Sequence, residues 1–231
     1  MKVVSITSAG NNSGKTSLAC ALCAAFPGVF TAVKGTTVYE EGAARCPRGE
    51  GARAECACTS LEGPWLLCDD RETVERPGTD TGKIAAAGAR RTLWAIARPD
   101  GAGALVEEIR RRLRDRGDGG PLLTEGNTLA SRLSPDLTLF VANPWMRGGD
   151  IKPVSADLCA AADLLILNPF PIRAGEDRPA DADRNARRFL DWRAHRLHLV
   201  LDLSRPLARA EAAPLLDLVA DRAGLRVPAI P

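Results

Sequence analysis

The stretch that decides the fold is VVSITSAGNNSGKTSL, residues 3–18. It runs from an apolar segment, Val3 to Thr7, through small and polar residues into Gly14-Lys15-Thr16, where a helical pattern begins and continues to Ala25. A strand–loop–helix passage of this composition suits phosphate. Backbone N–H groups converge on one cavity, little side-chain bulk obstructs them, and the helix N-terminus adds its partial positive charge. Gly10 and Gly14 give the backbone its freedom, with Asn11, Asn12 and Ser13 between them. Lys15 reaches the outer phosphates of a nucleotide, the Thr16 hydroxyl is placed to ligate Mg²⁺, and Ser17 follows in the first turn. The G-x-x-x-x-G-K-[ST] spacing is met with one departure, an alanine, Ala9, at its first position.

Further apolar runs follow at Val29 to Val33, Thr92 to Ala97, Pro121 to Thr124, Leu137 to Ala142, Leu164 to Leu167 and Leu197 to Leu201. Several are apolar throughout instead of alternating, as in strands covered by helices on both faces. Helical patterns lie among them at Gly103 to Arg116, Ala180 to Arg193 and Ala208 to Ala223. The sequence therefore predicts an α/β fold of the P-loop NTPase type, a doubly wound and mainly parallel sheet of about seven strands. We read residues 1–231 as a single domain, with a Cys/Gly-rich insertion over 35–91 that has no clear period.

Composition narrows the partners. The 31 Lys and Arg nearly balance 29 Asp and Glu, so no general attraction to nucleic acid or to an anionic membrane is expected. The basic run EEIRRRLRDR, residues 107–116, reads as the polar face of a surface helix. No apolar stretch reaches the roughly 18 residues needed to span a bilayer. The N-terminus becomes a phosphate-loop strand too soon for a signal peptide, so the expected compartment is cytoplasmic. There, the seven cysteines are expected as thiols or metal ligands and not as disulfides.

Phosphoryl chemistry asks for a carboxylate near Mg²⁺ at the end of another strand. Glu125 in PLLTEGN ends such a run, and Asp69 and Asp70 in LLCDD compete for the role. Asn143 in LFVANP and Asn168 in LLILNPFP each stand at a strand's carboxyl end, where an amide can read a purine edge. No N-K-x-D guanine signature is present, so the nucleotide is GTP or ATP. Lys34, ending the second strand, is a candidate to face the γ-phosphate alongside the catalytic candidates Lys15 and Glu125.

Cys46, Cys56, Cys58 and Cys68 are spaced C-x9-C-x-C-x9-C within the insertion. Four thiolates suit tetrahedral Zn²⁺, with an iron–sulfur cluster as the alternative and scattered thiols as the plain reading. Bound metal would also help to order so irregular a stretch. Cys20 and Cys23 form a C-x-x-C inside the first helix and are read as core, not as a redox pair.

ITSAGNNSGKTSL, then AVKG, RPGTDTGKIAAAGARRTLWAIA and LLTEGN, together resemble the molybdopterin-guanine dinucleotide biosynthesis adaptor family over roughly residues 1 to 142. The resemblance implies phosphate and Mg²⁺ at Lys15 and Thr16, Glu125 near the metal, and Asp80 near the nucleotide or a partner-facing loop. Two features depart from it. Gly35 stands where that family is expected to have a histidine, and the cysteine-bearing insertion is extra. The C-terminal LNPFP looks more like the wider class of dethiobiotin synthetase and metal-cofactor maturation GTPases. Gly10 occupies the place of the second lysine used by ATPases that dimerise over nucleotide, so that mechanism is not expected.

Three functions follow as expectations. The first is a nucleotide hydrolase or switch that assists metal-cofactor biosynthesis or insertion, with a protein partner in that maturation. The second is an ATP-dependent small-molecule kinase or ligase of the dethiobiotin synthetase type, with Lys34 or Lys83 at its acceptor. The third is a zinc-stabilised, non-catalytic nucleotide-binding module. A homodimer is an open option, since it would cover the sheet edge and the insertion.

Overall fold

The computed structural model describes residues 1–38, 61, 63–146, 151, 154–170, 177–192 and 197–227. Its centre is β1 (Val3–Ser8), flanked by β5 (Leu122–Glu125) and β6 (Leu137–Ala142). The sheet continues through β2 (Thr31–Thr37), β4 (Arg91–Ala97) and β3 (Trp65–Cys68) on one side. It ends with β7 (Leu164–Leu167) and β8 (His198–Val200) on the other. Among the described residues this makes an eight-stranded sheet in the order 3-4-2-5-1-6-7-8, every pairing parallel except β3 with β4.

The seven parallel strands overlap the apolar runs, but β2 starts later than expected and continues past Val33 to Thr37, which puts Lys34 in its middle and not at its end. The eighth, β3, lies in the stretch without a clear period, together with α2 (Arg71–Val74) and α3 (Asp80–Ala86). Its direction matters for the site. Trp65 pairs with Ala97 and Cys68 with Trp94, so β3 runs away from the end of the sheet where β1 delivers its loop. Asp69 and Asp70 thus emerge from the sheet at the far end. There Asp69 meets Arg91, Arg112 and Arg116, and Asp70 caps α2 through Thr73 N at 3.0 Å. Topology leaves Glu125 as the strand-end acid beside the loop that follows β1.

Alternation within buried strands divides the core between two faces. Leu137, Leu139 and Val141 of β6 pack with Leu18 and Leu22 of α1 (Lys15–Ala25) and Leu215 and Val219 of α8 (Arg209–Ala223). Phe140 and Ala142 point the other way, toward Cys159 of α6 (Ser155–Ala161) and Phe189 of α7 (Ala182–Trp192). Val3, Val33 and Leu93 meet α4 (Ala102–Asp115) and α5 (Asn127–Leu133) through Leu105, Ile109 and Leu129. Truncating one of these fully buried leucines, such as Leu139, would cost about 2–5 kcal/mol. Where β1 and β5 pair, the buried hydroxyls of Ser5 and Thr124 satisfy each other at 2.7 Å.

The run 107–116 forms most of α4. Its leucine–isoleucine side is buried, and Arg110, Arg111 and Arg112 pair with Glu107, Glu108 and Asp115 on the same helix. Among the described residues no helix is long and apolar enough to cross a membrane.

Candidate functional site: the loop between β1 and α1

β1 ends at Ser8 and α1 starts at Lys15, leaving six residues to make the turn. Two of them need unusual backbone: Asn12 has φ 54° and Gly14 has φ 101°. At Gly14 a side chain is also excluded by space, because a Cβ would lie 3.0 Å from Leu203 Cδ1 and 3.2 Å from Asn168 Nδ2. Asn11 and Asn12 are exposed at the tip, whereas Ser13 is buried.

The loop is closed by its own polar groups. Lys15 Nζ reaches back over it, donating to Ser8 Oγ at 2.7 Å and to the Gly10 carbonyl at 2.9 Å. The same carbonyl accepts from Ser8 Oγ at 2.7 Å and from Ser13 Oγ at 2.9 Å. Neighbouring elements hold the loop from outside. Ser155 Oγ donates to the Ala9 carbonyl at 2.7 Å. Asn127, at the start of α5, clasps Ser8 twice, accepting from its N–H and donating to its carbonyl, both at 3.0 Å.

The carboxylate expected beside the loop is in place. Glu125 is 2% exposed. Its Oε2 accepts from Thr16 Oγ1 at 3.1 Å, and its Oε1 is paired with Lys34 Nζ. Asp80, the first residue of α3, lies 3.3 Å from the same ammonium. Burial pulls the Lys34 pKa down, but Glu125 and then Asp80 outweigh it and hold the ammonium above the ordinary lysine value. Folding therefore gathers Thr16, Lys34, Asp80 and Glu125, from the starts of α1 and α3, the middle of β2 and the end of β5, into one polar cluster beside Lys15.

The two asparagines differ. Asn143 has both ends of its amide engaged, accepting from Trp145 N at 2.8 Å and donating to the Phe170 carbonyl at 3.1 Å. Asn168 accepts from Leu203 N at 3.2 Å, while its buried Nδ2, beside Gly14, finds no acceptor among the described residues. Ser17 lies on the outer side of α1, lining a cavity with Thr16.

Of the cysteines proposed as metal ligands, Cys46, Cys56 and Cys58 lie outside the described residues. Cys68 is half-buried against Val38, Trp94 and Ile96, and burial raises its pKa. Among the described residues no group of three or more His, Cys, Asp or Glu is placed to share a metal ion. Cys23 is buried in the main core and Cys20 packs against it.

Sequence reasoning did not single out Asn127, Ser8 or Ser155. Ser8 and Asn127 stand within the motifs, but no local spacing signals a contact spanning 119 residues.

No known family model matches the chain, and no curated protein sequence does. Solved structures do. The chain is similar to the hydrogenase maturation factor HypB from Archaeoglobus fulgidus, with 14% identity and a TM-score of 0.53, over 95% of this chain and 90% of that one. LpxK from Aquifex aeolicus, in complex with ATP, aligns at 10% identity and a TM-score of 0.48, over 98% of this chain and 69% of that one. Cyanothece McdA in complex with ATP aligns at 10% identity and a TM-score of 0.45, over 100% and 99%. The fold is that of the P-loop NTPases.

Proposed function

We propose that the chain binds a purine nucleoside triphosphate with Mg²⁺ in the loop between β1 and α1, and hydrolyses it in the service of metal-cofactor biosynthesis or insertion. The observation that carries this reading is the Thr16–Glu125 hydrogen bond beside a lysine folded over its own loop. It puts the hydroxyl and carboxylate that a Mg²⁺ ion needs within 3.1 Å of each other at a helix N-terminus. In this reading the loop amides and Lys15 hold the phosphate tail, while Thr16 and Glu125 hold the ion, which supplies charge neutralisation when bound. Lys34 orients Glu125, and Asp80 ties that ammonium to α3. Asn168 has its amide nitrogen uncommitted among the described residues and able to donate to the acceptor nitrogen common to adenine and guanine, whereas that of Asn143 is tied to the Phe170 carbonyl.

The role in cofactor maturation rests on the resemblance to the molybdopterin-guanine dinucleotide adaptor family and on the likeness to a hydrogenase maturation factor. A protein partner in that maturation belongs to the same reading. We treat residues 1–231 as one domain carrying the 35–91 insertion, whose cysteines would hold Zn²⁺ or, alternatively, an iron–sulfur cluster. The buried Lys34 also suits a small-molecule kinase or ligase, in which turnover would require an organic acceptor instead of water.

The test is titration with fluorescent GTP and ATP analogues, with Mg²⁺ and with chelator, on wild type and Lys15→Ala. Mg²⁺-dependent binding that Lys15→Ala weakens by at least about tenfold supports the proposal, the scale expected for losing one charge-assisted contact of about 1.5–3 kcal/mol. No binding by folded wild type, or equal binding by both, overturns it.

A further inference from the structure

From the phosphate loop a cavity of about 680 Å³ runs along two turns of α1, well beyond Thr16 and Ser17. Its floor is the outer side of α1, where Ala21 and Ala24 leave room that larger side chains would fill. One wall is α3, with Lys83 and Ala87; the other is formed by residues 203–207 and by Leu215 and Leu216 of α8. Thr16 and Ser17 stand at the end nearest the loop.

The volume falls within the roughly 300–1,000 Å³ range of small-molecule sites, and apolar walls with a few polar groups are their usual make-up. Beside the hydroxyls of Thr16, Ser17 and Ser204, the charged groups here have one sign. Among the described residues the lining includes Lys83, Arg205 and Arg209, and neither a carboxylate nor a side-chain amide. Arg205 is held in place by Asp202 at 2.9 Å and Glu211 at 2.9 Å, which fixes that wall and neutralises its charge. The Lys83 ammonium has no ion pair among the described residues and sits close enough to act on Cys20 in the floor. No side-chain amide or carboxylate around Ala21 and Ala24 offers the paired groups that read a purine edge. An anion with an apolar body would find both of its needs met.

We propose that this cavity binds a small organic anion with an apolar body, seated on Ala21 and Ala24 with its charge on Lys83, alongside the nucleotide and not in its place. The proposal goes beyond the nucleotide reading and does not depend on it.

The probe is 8-anilinonaphthalene-1-sulfonate, fused rings carrying one sulfonate, followed by its fluorescence. One saturable site per chain is expected. Ala24→Trp, at an exposed position two turns from Thr16, should raise the Kd at least tenfold, and Lys83→Glu should raise it severalfold. Both variants should still melt cooperatively, and the wild-type site should persist when Mg·ADP or Mg·GDP, whichever the chain binds, is saturating. Absence of saturable binding, indifference to both substitutions, or competitive displacement by nucleotide would each overturn the proposal. A chain that binds no nucleotide at all sinks the reading of the loop, yet the two variants still decide the cavity.

Discussion

Thr16 donates its hydroxyl to Glu125 at 3.1 Å, joining the first turn of α1 to the end of β5. The bond links the loop's helix to a strand adjacent to β1, and it brings together the two groups that phosphate chemistry needs near a divalent ion. Thr16→Ala removes one of them and leaves Lys15 and the loop amides untouched. Mg²⁺ should then add about tenfold less to nucleotide affinity than it does in wild type, the equivalent of about 1.4 kcal/mol. Titrations with and without Mg²⁺ measure the difference; an unchanged Mg²⁺ increment would remove Thr16 from the proposed metal site.

Gly126 follows Glu125 with φ 137°, and a Cβ there would come within 3.0 Å of the Gly35 carbonyl oxygen. Gly35 is equally confined, its own Cβ position lying 2.8 Å from Leu129 Cδ1 and 3.1 Å from the Glu125 carbonyl. The histidine expected from the family resemblance would meet Leu129 of α5 and the β5 carbonyl at once, which gives a steric reason for glycine here. Gly126→Ala should cost about 1–3 kcal/mol in urea unfolding, from backbone strain and crowding together. Gly35→His should cost more and should weaken nucleotide binding by displacing Glu125. Full stability in both variants would show that the strands can part without penalty.

How much of this was legible beforehand depends on how local each signal is. β7 could be read because a strand buried on both faces is apolar at every position, as in LLIL, and β6 departs from that only at Thr138. The four residues of β3 gave no such signal, and α5 and α6, seven residues each, are too short to show a helical period. In the site, Lys15 and Thr16 sit in one contiguous motif and Glu125 ends a strand, so sequence alone marks them. The clasp of Asn127 on Ser8, the ammonium of Lys34 between two carboxylates, and the cavity floored by Ala21 and Ala24 exist only once distant segments meet. No spacing along the chain encodes them.

Cys20 and Cys23 should be slow thiols. Burial, and after it the negative charge of Glu125, pushes the Cys20 pKa up to about 11. Burial, and after it Cys20, pushes Cys23 up to about 12. Near pH 8 an ordinary thiol, with a pKa of about 8.5, is far more ionised, so native Cys20 should react with iodoacetamide on the order of 100-fold more slowly. Peptide mapping of native and urea-unfolded samples gives the ratio. Equal labelling in the two states would mean that α1 does not shield this face, and it would revive a redox role for the C-x-x-C.

The most demanding test concerns Lys34, whose side chain is 16% exposed while that of Glu125 is 2% exposed. Breaking a buried pair from one side leaves the other charge stranded, so Lys34→Met should destabilise the fold by about 3–5 kcal/mol. Lys34→Met combined with Glu125→Gln removes both charges and should recover a large part of that loss, giving a coupling well outside additivity. The pH dependence has a definite sign. Glu125 and Asp80 hold the folded-state pKa of Lys34 above its ordinary value of 10.5. The stabilisation is therefore fully present below that value and is lost as pH rises through the higher folded one. The gap between wild type and Lys34→Met should stay flat between about pH 7 and 9 and close only in stronger alkali. Additive single and double variants, or a gap that closes already near neutrality, would show that Lys34 is a solvated strand residue and not the counter-charge of the site.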